Sequence, residues 1–327
     1  MILSIIIPCY NMESYIKRCY NSLQIQIDAD DVEFIFVNDG STDNTLSILQ
    51  VIEKSDNRVV IVNKNNAGVS VARNEALKIA KGEYIYLLDP DDYLSTLNVI
   101  KNIKCIISEY KPDIIIPANN REINNEIRFK PLPFSDGIHN IYDIYNNCTI
   151  FPTQTQLFYK SSLIKKNNIT FNPDIKCAEV YTFTIQCLKF ANNCYVYNKP
   201  CQNYFYRIEG ATKKINYSND LSVLRALEII HNDGKEFYKY SSFRITALKN
   251  VFSFTYNKYI KFPIDVKMKE KIKLLLSNNL LREYLKSIAF GRKIPIKERS
   301  FAMYIYLMPK ILGFKLLKLV IKRNRNI

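Results

Sequence analysis

The sequence predicts an α/β protein: a mostly parallel sheet flanked by helices, with a helical extension at the C-terminal end. Two observations carry this prediction. Over residues 2–88, four short apolar runs alternate with stretches of helical period, which is the order of strands joined by crossover helices. Beyond about residue 206 the apolar residues follow a helical period, in segments near 219–231, 236–259, 266–288 and 301–323.

The first strand is the apolar run Ile2–Ile7, which ends at Pro8 because proline has no N–H to donate to a ladder. Asn11 is placed to cap the helix that follows. The inward face of that helix carries Tyr15, Ile16, Cys19 and Leu23. Val32–Val37 is the second strand, and residues 41–43 open the next helix.

The third strand, Val59–Val62, leads to a helix that begins after Gly68. Gly82 suits the C′ position of that helix, where a left-handed residue commonly ends a helix. Tyr84–Leu88 is the fourth strand. Residues 100–205 are less regular, with elements predicted at Val99–Glu109, Asp113–Pro117, Gln156–Tyr159, around Glu179 and at Cys194–Tyr197.

The net charge of +15 is concentrated in the second part of the chain. Residues 206–327 contain 26 Lys and Arg against 9 Asp and Glu, whereas residues 1–205 contain 20 against 22. A near-neutral body with a basic C-terminal region indicates an anionic partner, either a membrane surface or a nucleic acid. A solvated basic region without a partner is the alternative.

The eight cysteines form no C-x-x-C pair, and with only two histidines in the chain a zinc site is not expected. The N-terminus runs straight into an apolar strand, without a basic region or a cleavage site. We therefore expect a cytoplasmic protein with reduced thiols.

Polar residues follow all four predicted strands. They read CYN after the first strand, NDGSTD after the second, KNNAGVSVARN after the third and DPDD after the fourth. Because the carboxyl ends of parallel strands meet at one edge of a sheet, and ligands bind beyond that edge, these residues predict a binding site there.

DPDD supplies three carboxylates, Asp89, Asp91 and Asp92, which repel one another unless a cation or solvent screens them. Oxygen ligands of this kind select Mg²⁺ or Mn²⁺, and such ions usually retain substrate phosphate oxygens as ligands. The alternative is an acidic turn in which Asp91 or Asp92 caps the next helix.

Two further stretches suit a nucleotide. Asp39, just past the second strand, can accept the N–H of a uracil ring or cap the next helix, although it lies early for a cap. Gly68 starts a helix with Arg73 one turn inside it, and a helix N-terminus with an arginine suits a diphosphate. A surface pair between Arg73 and Glu75 or Glu83 is the alternative.

Together, SIIIPCYN, VNDGSTDNT, NNAGVSVARNEAL and YLLDPDD, in this order and spacing, closely resemble the family 2 glycosyltransferases, which have the Rossmann-like GT-A fold. The resemblance covers about residues 2–212. It implies a nucleotide-sugar donor, most often a UDP-sugar, a divalent metal (Mn²⁺ or Mg²⁺) and transfer with inversion at the anomeric carbon. The sugar nucleotidyltransferases would instead need a glycine-rich, arginine-containing loop after the first strand, which PCYNME lacks.

The resemblance also implies roles by position. The nucleotide base would be framed by Pro8, Tyr10, Asn11 and Asp39. Arg73 would lie near the base or the diphosphate, and Asp89 near the ribose. Asp91 would hold the metal, with Asp92 supporting it. Such a metal neutralises charge on the departing diphosphate, and inversion in one displacement needs a single base to deprotonate the acceptor.

That base is expected within KCAEVYTF, residues 176–183. The family commonly has a Glu-Asp pair here, with the Asp as base, whereas this chain reads Glu179-Val180 with Phe183 in the usual aromatic place. Three interpretations stay open. Glu179 is the base, another acid such as Asp174 serves, or the chain is a catalytically weak or inactive subunit that binds a nucleotide-sugar or a glycan.

Within the resemblance, we expect residues 1–98 to form the nucleotide-sugar-binding half of one GT-A domain and 99–212 the acceptor-binding half. Residues 213–327 form a basic helical region. The segment NYFYRIEGATK resembles the family's Y-R…S segment, so Arg207 can reach the diphosphate. A surface arginine near Glu209 is the alternative.

Residues 301–326 are strongly apolar but interrupted by Pro309 and several lysines, so a spanning helix is not expected. Lys315, Lys318 and Lys322 share one helical face, and a basic amphipathic helix suits an anionic membrane interface. A terminal helix docked on its neighbours is the alternative. We expect a peripheral protein at the inner face of the cell membrane. Its acceptor would be a lipid-linked or oligosaccharide precursor of a surface glycan, such as capsule or lipopolysaccharide, with no nucleic-acid partner.

Overall fold

The computed structural model describes residues 1–147, 157–206, 217–248, 270, 274–291, 294, 296, 299–300, 302–303 and 306. The chain divides into two compact units. The first unit consists of Met1–Asp143, Pro152–Pro173 and Gln186–Arg207. The second consists of Ile144–Phe151, Asp174–Ile185 and Ile208–Ile327. All four polar strand ends therefore belong to the first unit, whereas Asp174–Ile185, which contains Glu179, belongs to the second.

A ten-stranded sheet forms the first unit, which confirms the predicted α/β class. The described strands are β1 (Leu3–Cys9), β2 (Val32–Asp39), β3 (Val59–Lys64), β4 (Tyr84–Leu87), β5 (Tyr93–Leu94), β6 (Ile114–Ile123), β7 (Glu126–Lys130), β8 (Gly137–Asn140), β9 (Phe158–Lys160) and β10 (Asn193–Phe205). Their order is β3-β2-β1-β4-β9-β6-β10-β5, with β7 beside β6 and β8 beside β10. Strands β1 to β4 are mutually parallel, as are β6 and β10, and β9 joins the two groups in antiparallel fashion.

Helices alternate with the first strands as predicted. The described α-helices are α1 (Ile16–Gln24), α2 (Thr45–Ser55), α3 (Val69–Ile79), α4 (Val99–Tyr110), α5 (Ile141–Asn147), α6 (Ser161–Lys166), α7 (Glu179–Phe190) and α8 (Tyr217–Asp233). A 3₁₀ turn at Lys235–Phe237, helical residues 241–248 and a helix at Asn279–Ala289 follow. Within the part of the chain that the structure describes, no helix has the length and apolar character needed to cross a bilayer.

Strand β1 continues past Pro8 to Cys9, so the predicted end at Pro8 is wrong. Leu88 N donates to Ile6 O, so the backbone polar groups of Ile6 point toward β4. The backbone nitrogen of Pro8, two residues later, points to the same side. Strand β4 has already ended at Leu87, the register partner of Ile6. The missing N–H of Pro8 therefore costs no ladder bond, because no strand lies opposite it there.

Gly82 does not take the predicted C′ position, because α3 ends at Ile79 with Ala80 as its C-cap, so Lys81 is the C′ residue. The N–H of Gly82 instead donates to Ser4 Oγ (2.8 Å), and Ser4 Oγ donates to Glu33 Oε1 (2.6 Å). A Cβ at Gly82 would collide with the backbone of Leu3 and Ser4. The glycine is therefore required by close approach of two backbone segments, not by a left-handed backbone angle.

The core of the first unit is formed by both faces of the parallel strands. One face carries the fully buried Phe34 and Phe36 of β2 and Tyr84 and Tyr86 of β4, and the opposite face carries the buried residues Ile35, Val37, Ile85 and Leu87. On α1, the predicted inward residues Ile16, Cys19 and Leu23 are buried against this sheet, while Tyr15 is only partly buried. A sheet covered on both faces holds its strand ends rigidly, which is what a binding site at its edge requires.

Candidate functional site

The carboxyl ends of β1, β2 and β4 lie side by side. Cys9 pairs with Asn38 in the register of β1 and β2, and Ile6 pairs with Leu87 in the register of β1 and β4. The loops that follow these strands therefore meet at one edge of the sheet, as the sequence predicts. The loop after β3 joins them through its contacts with Asp39.

Asn11 links two of these loops and does not cap α1. Its Oδ1 accepts from Thr42 N (2.8 Å), and its own N–H donates to Ser41 Oγ (3.0 Å). The N-cap of α1 is Tyr15, which makes no side-chain cap bond. The predicted capping role is therefore wrong: the left-handed backbone of Asn11 (φ 54°) turns its side chain toward the loop after β2.

Two residues of the first loop differ sharply in exposure. Pro8 is buried within β1, whereas Tyr10 is exposed, with 46% of its surface open to solvent. An exposed aromatic ring beside polar loops offers a flat face on which a planar base can stack. The structure thus exposes the ring of Tyr10 at this edge and buries Pro8 behind it.

Asp39 holds the start of α3. Its Oδ1 accepts from Lys64 Nζ (2.6 Å) and from Ala67 N (3.0 Å), and its Oδ2 accepts from Gly68 N (2.8 Å). The carboxylate is almost fully buried, with 3% of the residue exposed. A carboxylate has about four acceptor sites, so one further donor can still bind. Asp39 therefore orients the N-terminus of α3, a role that neither sequence interpretation named.

Glycines make this arrangement sterically possible. Gly40 has φ +69°, and a Cβ there would lie 2.6 Å from Asn66 N. Gly68, the N-cap residue of α3, has φ +93°. Both angles are readily adopted by glycine alone, so the loops after β2 and β3 can approach closely while the N–H groups of Ala67 and Gly68 face Asp39.

Arg73 is buried, with 2% of the residue exposed, and its NH2 lies 3.0 Å from Asp89 Oδ1. Its guanidinium also lies over the ring of Phe171, at 5.3 Å from the ring centroid. The surface pairing of Arg73 with Glu75 or Glu83 is wrong, and Glu75 instead pairs with Lys78. The ion pair directs the Asp89 carboxyl group toward α3.

The DPDD loop does not cap a helix. It leads into β5, and α4 begins only at Val99 with Asn98 as its N-cap. Asp92 is buried, and its carboxylate accepts from Phe205 N (2.8 Å) and from Gln202 Nε2. Burial, together with the negative charges of Asp89 and Asp91, raises the pKa of Asp92 well above its usual range, while these two hydrogen bonds oppose the rise.

Residues 4–166, about half of the chain, match the family model of glycosyl transferase family 2. The matched region contains all four strand ends that form the site. The chain belongs to glycosyltransferase family 2. The resemblance seen in the sequence is thereby confirmed.

Curated relatives of this family 2 glycosyltransferase are longer. The chain is 33% identical, over 70% of its length, to poly(ribitol-phosphate) beta-glucosyltransferase of Bacillus spizizenii. It is 29% identical, over 87% of its length, to poly(ribitol-phosphate) beta-N-acetylglucosaminyltransferase TarS of Staphylococcus aureus. The matches cover 36% and 49% of those proteins, so the chain spans about a third to a half of their length.

Solved structures share the fold. The crystal structure of S. aureus TarS residues 1–349 in complex with UDP has a TM-score of 0.69 at 24% identity, covering 93% of this chain and 87% of that one. The complex of the same protein with UDP-GlcNAc has a TM-score of 0.69 at 23% identity, with the same coverage. A mannosyltransferase from Pyrobaculum calidifontis, in complex with GDP-Man and Mn²⁺, has a TM-score of 0.56 at 14% identity, covering 94% and 88%. The chain therefore has the GT-A fold.

The carboxylates of the DPDD loop fit a metal that is only partly held by protein. Within the described residues, there is no group of three or more His, Cys, Asp or Glu side chains that could hold a metal ion. Mg²⁺ and Mn²⁺ are commonly bound by one or two carboxylates, with water and substrate phosphates as the remaining ligands. Asp91 is partly exposed beside the buried Asp92 and suits such a site.

In the second unit, Glu179 is the first residue of α7 and is partly buried. Ala178 before it has φ 65°, which turns the chain sharply into the helix. Val180 and Phe183 are buried, so the residue in the usual base position serves packing. Asp174 is exposed.

Arg207 and the predicted amphipathic residues Lys315, Lys318 and Lys322 lie outside the described residues. Three residues of the described site were missed by sequence reasoning: Lys64, Gln202 and Arg18. Lys64 stands inside a polar motif that follows a strand, a signal that could have been used. Gln202 and Arg18 carry no local signal, because their partners are distant in the sequence.

Proposed function

We propose that this protein is an inverting, metal-dependent glycosyltransferase that moves a sugar from a UDP-sugar to a growing surface glycan. The observation that carries this proposal is the arrangement at the sheet edge. Asp39 orients the N-terminus of α3, and Arg73 from the same helix pairs with Asp89 beside Asp91. Amide N–H groups, an arginine and a carboxylate pair at one edge match the needs of a nucleoside diphosphate with a cation.

The donor contacts follow from this arrangement. The exposed Tyr10 would stack on the base, and Asp39, whose three bonds leave acceptor capacity for one more, would accept the uracil N–H. The N-terminus of α3 and Arg73 favour the negative diphosphate, and Asp89 faces the ribose. Pro8, Asn11, Gly68, Asp92 and Arg207 complete the proposed donor site. The named complexes of TarS with UDP and UDP-GlcNAc support the choice of a uridine nucleotide.

Asp91 would hold the divalent metal, with Asp92 anchoring the loop from the interior. When bound, the metal supplies positive charge for the departing diphosphate. The clustering of Asp89, Asp91 and Asp92 supports this assignment, because a cation relieves the repulsion among them.

Glu179 is the proposed base that takes the proton from the acceptor hydroxyl group. It lies in the first turn of α7 and keeps part of its surface exposed, so an acceptor hydroxyl group can reach it. The names of both curated relatives specify β products. UDP-glucose and UDP-GlcNAc carry their sugars in α linkage, so a β product from such donors means inversion.

The acceptor is proposed from the same relatives, which act on poly(ribitol-phosphate). A repeating, anionic surface polymer or its lipid-linked precursor would suit the excess of basic residues after residue 206. We propose residues 1–98 as the donor half, 99–212 as the acceptor half and 213–327 as a basic region that attaches peripherally to the inner membrane face. The named relatives are transferases, which gives the non-catalytic alternative no support.

A panel of UDP-sugars tests the proposal directly. The purified chain is incubated with each donor, with and without Mn²⁺, and released UDP is measured together with calorimetric binding of UDP. We expect one UDP-sugar to be turned over only with metal. Tight Mn²⁺-dependent binding without turnover of any donor, with or without polyol-phosphate acceptor, would support the binding subunit instead.

A further inference from the structure

The side chain of Arg18, on α1, contacts the backbone of the DPDD loop, to which the proposed function assigns the metal. Its NH2 donates to the carbonyl oxygen of Asp91 (2.8 Å). Asp91 thus has its main chain tied to α1, while the neighbouring Asp92 side chain is tied to β10 through Gln202 and Phe205 N. The loop is held from two sides, and each attachment reaches a different element of the first unit.

Arg18 is itself fixed by three side chains. Its guanidinium carbon lies 4.7 Å from the ring centroid of Tyr93 and 4.2 Å from that of Phe205. Its NH1 lies 3.6 Å from Glu122 Oε2, and the Tyr93 hydroxyl donates to the same oxygen (2.9 Å). Since the Arg18 side chain is 36% exposed, the ion pair alone is weak, and the stacking on two rings confers the rigidity.

From this geometry we propose that Arg18 is a positioning residue that sets the place of the Asp91 carboxylate. The proposal rests on the proposed function, because it assumes that Asp91 holds the metal. Mg²⁺ and Mn²⁺ sites built from one or two carboxylates depend on the position of each ligand, so a loop fixed before binding loses less entropy when the ion arrives. The same contacts couple that loop to the end of β10, because Phe205 both stacks on Arg18 and bonds to Asp92.

Lysine cannot replace arginine in this role. A planar guanidinium can stack on two rings and donate to a carbonyl and a carboxylate at once, whereas an ammonium group is a single, strongly hydrated point charge. Arg18→Lys therefore keeps the positive charge but loses the planar group that stacks on both rings while it donates to the carbonyl oxygen of Asp91. Glu122→Gln keeps an acceptor for Tyr93 and removes only the ion pair, so its effect should have the same direction and a smaller size.

The matched control is Arg58→Lys. Arg58 also stacks on an aromatic ring, with its guanidinium carbon 5.0 Å from the centroid of Phe34, and it pairs with Asp56. It precedes β3 and therefore lies at the opposite edge of the sheet from the DPDD loop. Loss of its stacking should lower thermal stability without affecting metal binding.

Two measurements test the proposal on the full chain. Calorimetry of Mn²⁺ binding in the presence of UDP should show roughly tenfold weaker metal binding for Arg18→Lys, the size expected for loss of one charge-assisted hydrogen bond. Hydrogen exchange of the metal-free protein should be faster over residues 89–94. Arg58→Lys should match the wild type in both. Wild-type metal affinity and exchange in Arg18→Lys would overturn the positioning role alone, whereas absence of Mn²⁺ binding in the wild type itself would overturn the metal assignment and this proposal together.

Discussion

Arg73 and Asp89 form an ion pair, with 3.0 Å between NH2 and Oδ1, that joins α3 to the loop after β4. Arg73 is buried while the Asp89 side chain is 32% exposed, so the carboxylate faces the site and the guanidinium supports it from behind. The position of the acidic loop after β4 is thereby tied to that of α3.

Replacing Arg73 with lysine should weaken this connection. A lysine retains the charge but loses the fork of donors and the contact with the ring of Phe171. We expect a loss of about 1–2 kcal/mol in the free energy of unfolding and weaker binding of UDP. Denaturant unfolding and calorimetry measure the two effects, with Lys78→Arg on the exposed face of α3 as the control. Unchanged UDP affinity would separate Arg73 from the donor site.

Asp91→Asn should abolish metal-dependent transfer and leave the fold intact. Its carbonyl oxygen, which Arg18 contacts, is unaffected by the change, whereas the neutral amide is a poor ligand for Mn²⁺. We expect turnover to fall by at least about 100-fold with an unchanged melting temperature. Asp28→Asn, at an exposed acid that pairs with Lys104, is the control. Turnover like that of the wild type in Asp91→Asn would rule out the metal assignment.

Glu179→Gln tests the base. The glutamine preserves the size and the hydrogen-bonding capacity of the side chain at the start of α7. Its neutral amide, however, cannot take the proton from the hydroxyl group of the acceptor. We expect the transfer rate to fall by roughly 100-fold or more, while UDP binding is retained. Asp174→Asn is the comparison, because it removes the other acid considered. If Asp174→Asn loses transfer and Glu179→Gln does not, the base is Asp174.

Gly40→Ala should destabilise the protein through both strain and collision. The backbone has φ +69°, and the new Cβ would meet Asn66 N at 2.6 Å. We expect a cost of about 2–4 kcal/mol in unfolding free energy. Gly137→Ala is the control, because its φ of +137° is strained but nothing lies within 4 Å of the added carbon. Equal losses in the two variants would show that the contact with Asn66 is unimportant.

Stability should fall in acid partly through Asp56. The hydrogen bonds from Arg58 hold the pKa of Asp56 below its usual range, so its contribution is present at neutral pH and lost as the carboxylate is protonated below about pH 4. Asp56→Asn should therefore cost about 1 kcal/mol at pH 7 for this pair and less near pH 3. Denaturant unfolding at both pH values checks this; a cost independent of pH would contradict the assignment.

The order of elements and the location of the site could be read from the sequence. The spacing at which apolar residues recur distinguishes strands from helices. The polar residues that follow parallel strands must meet at one edge of the sheet. For this reason the strands near Ile2–Ile7, Val32–Val37, Val59–Val62 and Tyr84–Leu88 were predicted within about two residues of their observed ends. Asp39, Arg73 and Asp91 were placed at the site on the same grounds.

The partners of these residues were decided by the tertiary structure. Asn11 forms its hydrogen bonds with the loop after β2 and does not cap α1. A glycine is required at position 82 because the backbone of Ser4 lies too close for a side chain there. Arg18 reaches Asp91 across 73 positions of sequence. Local sequence patterns reflect which residues are buried and which backbone conformations they prefer, and these are properties of individual residues. A hydrogen bond between distant residues depends on how whole elements pack, so only the folded chain determines which side chain supports which ligand.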